Sequence, residues 1–412
     1  MSGPLSDRKR RLAFVYDYPH WILGTIAGKT AARINSDSTA WIASARPEPL
    51  SPLSALRLCC RHDVLFFLNP HQHLKWPAVF FKPSILMFHH FGPGTKEKLV
   101  AALRHVDCLC APNQAMVAAL ASMSEEVGLA VFLVPYCVDT DQFFRREGGH
   151  DELVKLTGCP RDTTLLGLAA SPHSGGERKG IDRYWELMSR LQVQFGEKVR
   201  LVIMGPGADA RGWDVSMIPL QIRSVVSILP FQKIEQMPLL YSGLDFYVCL
   251  SRIEGGPYPV LESMACGTKV ISTPVGVVPD LIRDGESGFI VSGEDYLQRI
   301  PAIISACRQD PSRFEYVGGL AREMVVAQCS YGSVHRTAWY EHICDTASQH
   351  WGTRSLWSQV RRRVGALVCA SHDVLARPKD YLRAGIRLSR VIIGRLAPGV
   401  SSANRGPRKS IP

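Results

Sequence analysis

Two glutamates, Glu254 and Glu262, stand eight positions apart on either side of Gly255-Gly256-Pro257. Adjacent glycine and proline predict a loop or turn between them. After Pro259 the apolar residues recur at helical spacing, and Gly267 is positioned to end that helix. One carboxylate is therefore expected on a loop and the other inside the helix that follows. Amides at a helix start can hold an anion, and carboxylates accept hydrogen bonds from hydroxyls, so the pattern suits a nucleotide that carries a sugar.

The segment Ser251–Val291 resembles the donor-binding motif of the retaining GT-B glycosyltransferases of the family-4 type, the glycosyl transferases group 1. Their hallmark is two glutamates separated by seven residues, then a helix of small residues that ends in Gly-x-x-Val-Ile. Ala265–Ile271 fills this second part, with Lys269 where the family often has proline. The resemblance implies that Glu254 contacts the donor sugar and that Glu262 accepts hydrogen bonds from the ribose. The alternative is an ordinary strand–loop–helix unit with surface acids.

A departing nucleoside diphosphate needs its negative charge neutralised, by a metal or by fixed cations and amides. The pair Lys179-Gly180 matches the family's Lys-Gly pair, whose lysine contacts the diphosphate. Arg178 is expected to supply a second cation, because Ser174 stands where the family usually has arginine. The amides of Gly255 and Gly256 are expected to assist. The alternative is a solvated pair of side chains at a helix start, and the basic pair taken alone does not decide between the two; the two glutamates favour the diphosphate.

Metal and ATP sites are not predicted. No Asp-x-Asp element stands where a metal-dependent transferase would need one, so we expect no metal and no cofactor beyond the donor substrate. Adjacent histidines such as His89-His90 rarely chelate one ion, and no third ligand is evident. The segment Gly24–Thr30 has three residues between its glycines where a nucleoside-triphosphate loop needs four, and it lies inside a predicted helix.

His89 follows a predicted strand, Ile85–Phe88, and is expected at the carboxyl end of that strand. In the resembled family, a histidine after this strand hydrogen-bonds the donor sugar near the reacting centre. By register His89 is the match and His90 the second choice. The two side chains face opposite ways if the strand continues through them.

Short apolar strands alternate with helical patterns along the chain, which predicts parallel sheets of α/β type. Two series of strands indicate two doubly wound, Rossmann-like domains, and ligands bind at the carboxyl ends of such strands. With the resemblance, this gives a GT-B architecture whose two domains face a cleft. We predict an acceptor-side domain at 1–150, a donor domain at 151–330, a helix at 331–350 that crosses back to the first domain, and a basic tail at 351–412. The predicted strands lie near Leu12–Tyr16, Val64–Leu68, Ile85–Phe88, Cys108–Ala111, Val131–Val134, Leu165–Ala169, Val199–Met204, Val225–Leu229, Phe246–Leu250, Val270–Ser272 and Phe289–Val291.

Charge is distributed unevenly along the 412 residues. The formal net charge is +11, and residues 351–412 carry all of this excess, with thirteen Lys and Arg against two acids. Leu356, Val360, Val364 and Leu367 recur at helical spacing beside arginines, a pattern typical of helices that lie on an anionic membrane surface. A tail that packs on its own domain, a tail that touches nothing, and nucleic-acid binding are the alternatives. We favour the membrane and expect no nucleic-acid partner.

The resemblance implies a retaining glycosyltransferase that moves a sugar from a nucleotide-diphosphate sugar to a glycan or lipid-linked acceptor, in polysaccharide or glycoconjugate synthesis. A nucleotide-sugar epimerase of the same fold, or a non-catalytic nucleotide-sugar-binding module at the membrane, are the alternatives. The first strand leaves no apolar run long enough for a secretory signal, and the cysteines lie in apolar strands rather than in a disulfide pattern. We therefore expect a cytoplasmic protein, with peripheral attachment at the inner face of the membrane through 351–412.

Overall fold

Two parallel six-stranded sheets, each flanked by helices, form the chain in the computed structural model. This confirms the predicted α/β two-domain architecture. The structure describes residues 8–17, 22–47, 49, 51–69, 71–75, 80–91, 95–170, 176–204, 212–230, 232–293, 295–333, 336–355 and 359. Ser174 and nearly all of the basic tail lie outside these ranges. Within them, none of the helices combines the length and the apolar character of a membrane span.

The first sheet has the strand order β2-β1-β3-β4-β5-β6, so the chain reverses its direction of growth between β1 and β3. Its central strands are buried on both faces, as parallel strands covered by helices must be. The strands are β1 (Arg10–Tyr16), β2 (Trp41–Pro47), β3 (Val64–Phe67), β4 (Ser84–Met87), β5 (Cys108–Ala111) and β6 (Val131–Leu133); the helices are α1 (Ile22–Asp37), α2 (Pro52–Arg61), α3 (His71–Lys75), α4 (Thr95–Ala102) and α5 (Gln114–Ser124).

The second sheet has the order β12-β11-β10-β7-β8-β9, and its reversal lies between β7 and β10. In a doubly wound sheet the ligand crevice opens where the order reverses, at the carboxyl ends of the strands. The strands are β7 (Thr164–Ala169), β8 (Val199–Met204), β9 (Val226–Ile228), β10 (Phe246–Cys249), β11 (Lys269–Ser272) and β12 (Phe289–Ile290); the helices are α6 (Gly149–Thr157), α7 (Gly176–Lys179), α8 (Ile181–Phe195), α9 (Met237–Gly243), α10 (Tyr258–Ala265), α11 (Val278–Leu281), α12 (Tyr296–Gln309), α13 (Ser312–Cys329) and α14 (Thr337–Thr353).

The edge strand β2 is absent from the sequence prediction. Its burial alternates, with Trp41 and Ala43 buried and Ile42 exposed, so it lacks the continuous apolar run of the inner strands. An edge strand with one open face carries this weaker signal.

The predicted boundary after residue 150 falls inside α6. Gly148-Gly149 suggests a linker in the sequence, but Gly148 caps the helix with φ 77° and Gly149 packs against the backbone of α9. A Cβ on Gly149 would lie 2.7 Å from the amide nitrogen of Gly243. These glycines therefore serve close helix packing, and α6 belongs with the second sheet.

Helix α14 packs on the first sheet, where the Tyr340 ring meets Phe14 edge-on at 5.5 Å. Directly after α14, Arg354 donates to the buried carboxylate of Asp107 at 2.8 Å and to the carbonyl of Val106 at 2.6 Å. The first domain therefore contacts the chain past residue 350, the predicted start of the tail, because Arg354 joins His350 and the amide of Ser84 around the buried carboxylate of Asp107.

Candidate active site

A buried ion cluster lies at the reversal point of the second sheet. Glu254 follows β10, and its side chain is only 7% exposed. Its two oxygens accept from Lys179 Nζ at 2.7 Å and from an Arg178 guanidinium nitrogen at 2.9 Å, both contributed by α7 beyond β7. Ser251 Oγ donates to the same carboxylate at 3.0 Å. Three of the residues predicted to bind the donor therefore meet at the place where the topology opens a crevice.

The local fold that holds this cluster depends on Gly180. Its φ of 66° lies in the left-handed region, and a Cβ at this position would collide with the carbonyl of Leu250. The close approach lets the amide of Arg252 donate to the Arg178 carbonyl at 2.8 Å. Arg252 also makes two hydrogen bonds to Asp182 at 2.5 and 2.7 Å. Gly180 thus allows the segment after β7 and the loop after β10 to lie side by side, joined by these hydrogen bonds.

Glu262 lies in α10, two turns beyond the glycine loop, and is 7% exposed. The hydroxyl of Tyr241, on α9, donates to its Oε2 at 2.8 Å. Its other oxygen makes no hydrogen bond within the described ranges. Burial raises the pKa of Glu262 from 4.5 to about 7, and the hydrogen bond from Tyr241 opposes this shift. The carboxylate is thus held in place at one oxygen and lacks a donor at the other.

The raised pKa of Glu262 predicts a pH-dependent stability. The folded protein binds this proton more tightly than the unfolded chain, so the free energy of unfolding falls as pH rises from about 4.5 to about 7, by up to about 3 kcal/mol, and no further above that. Glu262→Gln keeps an acceptor for Tyr241 and removes the titration. Thermal unfolding of both proteins between pH 5 and 8 checks this. Equal slopes in the two proteins would contradict the assignment.

His89 lies beyond β4 and faces the glycine loop of the second domain. Its Nε2 lies 2.6 Å from the carbonyl of Leu68, so Nε2 carries the proton and donates. Its Nδ1 then accepts from the hydroxyl of Tyr136, whose pKa burial raises well above 10. The rings of His89 and Tyr136 stack with centroids 5.3 Å apart. Both ring nitrogens are therefore occupied, and a sugar hydroxyl would have to replace one of these partners.

Gly255 and Gly256 bring the two domains into contact. A Cβ on Gly255 would lie 2.5 Å from the carbonyl oxygen of His89, and a Cβ on Gly256 would overlap the ring of Tyr136. The carbonyl of Gly255 accepts from Asn113 Nδ2, at the start of α5, at 3.1 Å. The close contact between the two domains therefore requires glycine at both positions, and this role is separate from any contact of their amides with the donor.

Three residues at the site were missing from the sequence prediction as site residues: Tyr136, Tyr241 and Asn113. Only Asn113 carries a signal in the sequence, because an asparagine between a strand and a helix is typical of an N-cap, and its Oδ1 does accept from the amide of Met116 at 2.9 Å. The described residues include no group of three or more His, Cys, Asp or Glu that could hold a metal ion.

The sequence model of the family Glycosyl transferases group 1 matches residues 168–316, which include the ion cluster and Glu262. Among curated proteins, D-inositol 3-phosphate glycosyltransferase of Thermomonospora curvata is 29% identical over 173 residues, 41% of this chain and 40% of that protein. The putative colanic acid biosynthesis glycosyltransferase WcaL of Salmonella typhimurium is 26% identical over 205 residues, 48% of this chain and 47% of that protein. The chain thus spans less than half the length of these two relatives.

Solved structures share the fold over most of the chain. Anabaena Alr3699/HepE, solved in complex with UDP-glucose, aligns with a TM-score of 0.63 at 15% identity over 82% of this chain and 99% of its own. A glycosyltransferase from Rickettsia africae aligns with a TM-score of 0.61 at 15% identity over 81% and 98%. Identities this low establish the fold alone. The chain therefore has the GT-B fold, and its residues 168–316 match the glycosyl transferases group 1.

Proposed function

We propose that this protein is a retaining glycosyltransferase that moves a sugar from a nucleotide-diphosphate sugar to a glycan or lipid-linked acceptor. The ion cluster of Glu254, Arg178 and Lys179 at the sheet reversal point carries the proposal. Two fixed cations share one carboxylate there, which leaves one positive charge in excess. A diphosphate brings more negative charge than Glu254 does and competes for both cations. Glu254 is then released to accept hydrogen bonds from the sugar.

The remaining donor contacts follow from the same geometry. The unoccupied oxygen of Glu262 accepts from a ribose hydroxyl, and the amides of Gly255 and Gly256 lie on the loop that joins the two glutamates. His89 exchanges one of its present partners for a sugar hydroxyl. No metal is required in this scheme, since Arg178 and Lys179 supply the cations that the departing diphosphate needs.

The reaction that needs least from the protein is attack on the face from which the diphosphate departs. The acceptor oxygen bonds to the anomeric carbon while the bond from that carbon to the phosphate oxygen breaks. The acceptor proton passes to the leaving phosphate oxygen, and the anomeric configuration is kept. Catalysis then consists of positioning and charge stabilisation by Lys179, Arg178 and His89.

UDP-hexoses are the first donors to test, because Alr3699/HepE was solved with UDP-glucose. Synthesis of a polysaccharide or glycoconjugate is the expected setting, given the name of the WcaL relative. The assay follows label from a panel of nucleotide sugars into glycan or lipid-linked acceptors. A parallel incubation without acceptor looks for a free epimer. Acceptor-dependent transfer supports the proposal, whereas an epimer formed without acceptor, or binding without turnover, contradicts it.

Tyr136 is expected to act as a positioning residue for His89. Tyr136→Phe keeps the ring stack but removes the hydroxyl that the Nδ1 of His89 accepts from. One lost hydrogen bond predicts a fall in kcat of about 5- to 10-fold with little change in donor KM. The loss should fall on kcat rather than on donor binding, because the His89 ring keeps its Leu68 partner but loses one of the two hydrogen bonds that hold its orientation. An unchanged kcat, or an equal change in kcat and donor KM, would exclude the role.

The basic tail is expected to hold the protein at an anionic membrane surface on the cytoplasmic side. The matched variant ends after Ser355, since a shorter chain would remove Arg354 from the buried Asp107. Flotation with phosphatidylglycerol vesicles should recover the full chain and lose the truncated one. Equal flotation of both would count against membrane attachment by the tail.

A further inference from the structure

A basic groove runs along the outer edge of the first sheet, away from the donor loops. Ile42, Ser44 and Arg46 lie on one face of β2, and two adjoining cavities are lined by this face and by residues of α2. Their volumes are about 490 and 410 Å³. Both are lined by Arg46, Arg61 and His62, so they form one continuous space, which we call the β2–α2 groove.

Arginine dominates this groove. Arg57 lines the first cavity and Arg11 the second, in addition to the shared Arg46 and Arg61. No acidic side chain lines either cavity in the described part of the chain. Arg46, Arg57 and Arg61 make no side-chain hydrogen bond or ion pair there. Glu48 lies outside the described residues.

Some arginines elsewhere in the chain have acidic partners. Arg299 pairs with Asp284, for example, and Arg10 with Asp345, each at 2.5 Å. The nearest acid, Asp63, accepts from the amide of Arg11 at 2.8 Å and lies 4.0 Å from Lys82, so it forms no ion pair with the four arginines. Neighbouring positive charges repel one another, and a bound anion reduces that repulsion.

His62 forms an uncharged floor. Its Nδ1 lies 3.0 Å from the carbonyl of Leu58 and donates, and its Nε2 accepts from the hydroxyl of Ser44 at 3.0 Å. Burial lowers the pKa of His62 below 6.5, with Arg46 and Arg61 acting in the same direction, while the Leu58 carbonyl and Asp63 oppose it. The positive character of the groove therefore comes from arginine, which stays charged at any physiological pH.

The spacing of the arginines indicates the kind of anion. Arg11 lies opposite Ile42 in the ladder, and Arg46 is four residues further along β2, a distance of about 13 Å along the strand. Arg57 and Arg61 are one helical turn apart, about 6 Å. Since these backbone positions are separated, an anion that carries several charges along a chain can pair with more of the four arginines than one phosphate can. Acid groups on successive sugar rings provide such a chain.

We propose that the β2–α2 groove binds an acidic oligosaccharide through carboxylate–guanidinium pairs. The groove reaches the carboxyl end of β2, the edge of the sheet that also carries His89 beyond β4. A chain held there extends toward the site where the next sugar is added. This role, as the extended part of the acceptor, rests on the proposed function, whereas binding of the oligosaccharide does not.

The test is a calorimetric titration of the full chain with hexagalacturonate, with maltohexaose as the neutral probe of equal length. Arg46→Gln combined with Arg57→Gln should weaken binding at least 10-fold. Arg190→Gln, which removes an exposed arginine of the donor domain, should leave binding unchanged. Stabilisation by a nucleoside diphosphate should be equal in all variants, so a failed donor site remains distinguishable from a failed groove.

Four results would overturn the proposal. The site would be removed if hexagalacturonate shows no saturable binding, or if the double variant binds it as tightly as the wild type does. Tripolyphosphate binding as tightly as the hexasaccharide would assign the groove to a compact phosphate ligand. Loss of flotation with phosphatidylglycerol vesicles in the double variant, without any binding of the soluble probe, would assign it to a membrane.

Discussion

Replacement of Lys179 by alanine is expected to lower kcat for sugar transfer by about 10²- to 10³-fold, the loss typical when a fixed group that stabilises developing negative charge is removed. Lys179 Nζ lies 2.7 Å from Glu254, and its side chain is 19% exposed, so it is held in one geometry before the diphosphate arrives. Arg178, at 2.9 Å from the same carboxylate and more exposed, remains in the variant and prevents a total loss. The measurement is steady-state transfer with the best donor of the panel.

Lys198→Ala is the matched control, because Lys198 is an exposed lysine of the same domain that lies outside the cluster. It should keep wild-type rates. Circular dichroism should give the same spectrum for all three proteins, since Lys179 contributes to the site and not to the core. Full activity in the Lys179→Ala protein would contradict the assignment of Lys179 to the diphosphate. Full activity in a Glu262→Ala protein would likewise contradict the assignment of Glu262 to the ribose.

Gly256→Ala is expected to damage both stability and transfer. The new methyl group would overlap the ring of Tyr136, which is 5% exposed and held between His89 and Tyr258 at centroid distances of 5.3 and 5.0 Å. Because the cavity that adjoins this ring measures only about 10 Å³, the glycine loop must shift away from the first domain. Overpacking of this kind costs about 1–3 kcal/mol of unfolding free energy. A shift of about 1 Å at the site would lower kcat by about 10²-fold.

Gly319→Ala is the matched control for this change. Gly319 is exposed on α13 and has open space around its Cα, so alanine there should raise stability slightly, by at most about 1 kcal/mol. Gly255→Ala should resemble Gly256→Ala, since its methyl group would meet the backbone of His89. Wild-type melting temperature and kcat in Gly256→Ala would exclude the tight contact between the domains.

The sequence predicts the fold well because most of its strands are buried on both faces. Eleven of the twelve strands overlap a predicted apolar segment, and only the half-exposed edge strand β2 escapes prediction. The helix that carries Glu262 is also predicted by the helical spacing of its apolar residues. The Gly148-Gly149 segment misleads, because glycine in a linker and glycine in a close helix contact look the same in one sequence.

The arrangement at the site is only partly predictable. The local motif suggests that Glu254, Arg178 and Lys179 serve one ligand, but it contains nothing about the ion pairs that join them. The contact of Tyr136 with Gly256 joins residues 120 positions apart and depends on how the two sheets face each other. Such contacts arise from tertiary packing, which leaves no periodic signal in the chain.

The most direct test of the donor site is a thermal-shift titration with ADP, GDP, UDP, CDP and dTDP on the wild type, Lys179→Ala and Glu262→Gln. A ligand that binds only the folded protein raises its melting temperature in proportion to the logarithm of concentration over Kd. We predict that at least one diphosphate stabilises the wild type, that Lys179→Ala loses most of this effect, and that Glu262→Gln weakens it. Stabilisation of equal size in all three proteins, or none by any diphosphate, would contradict a nucleotide-sugar site at this ion cluster.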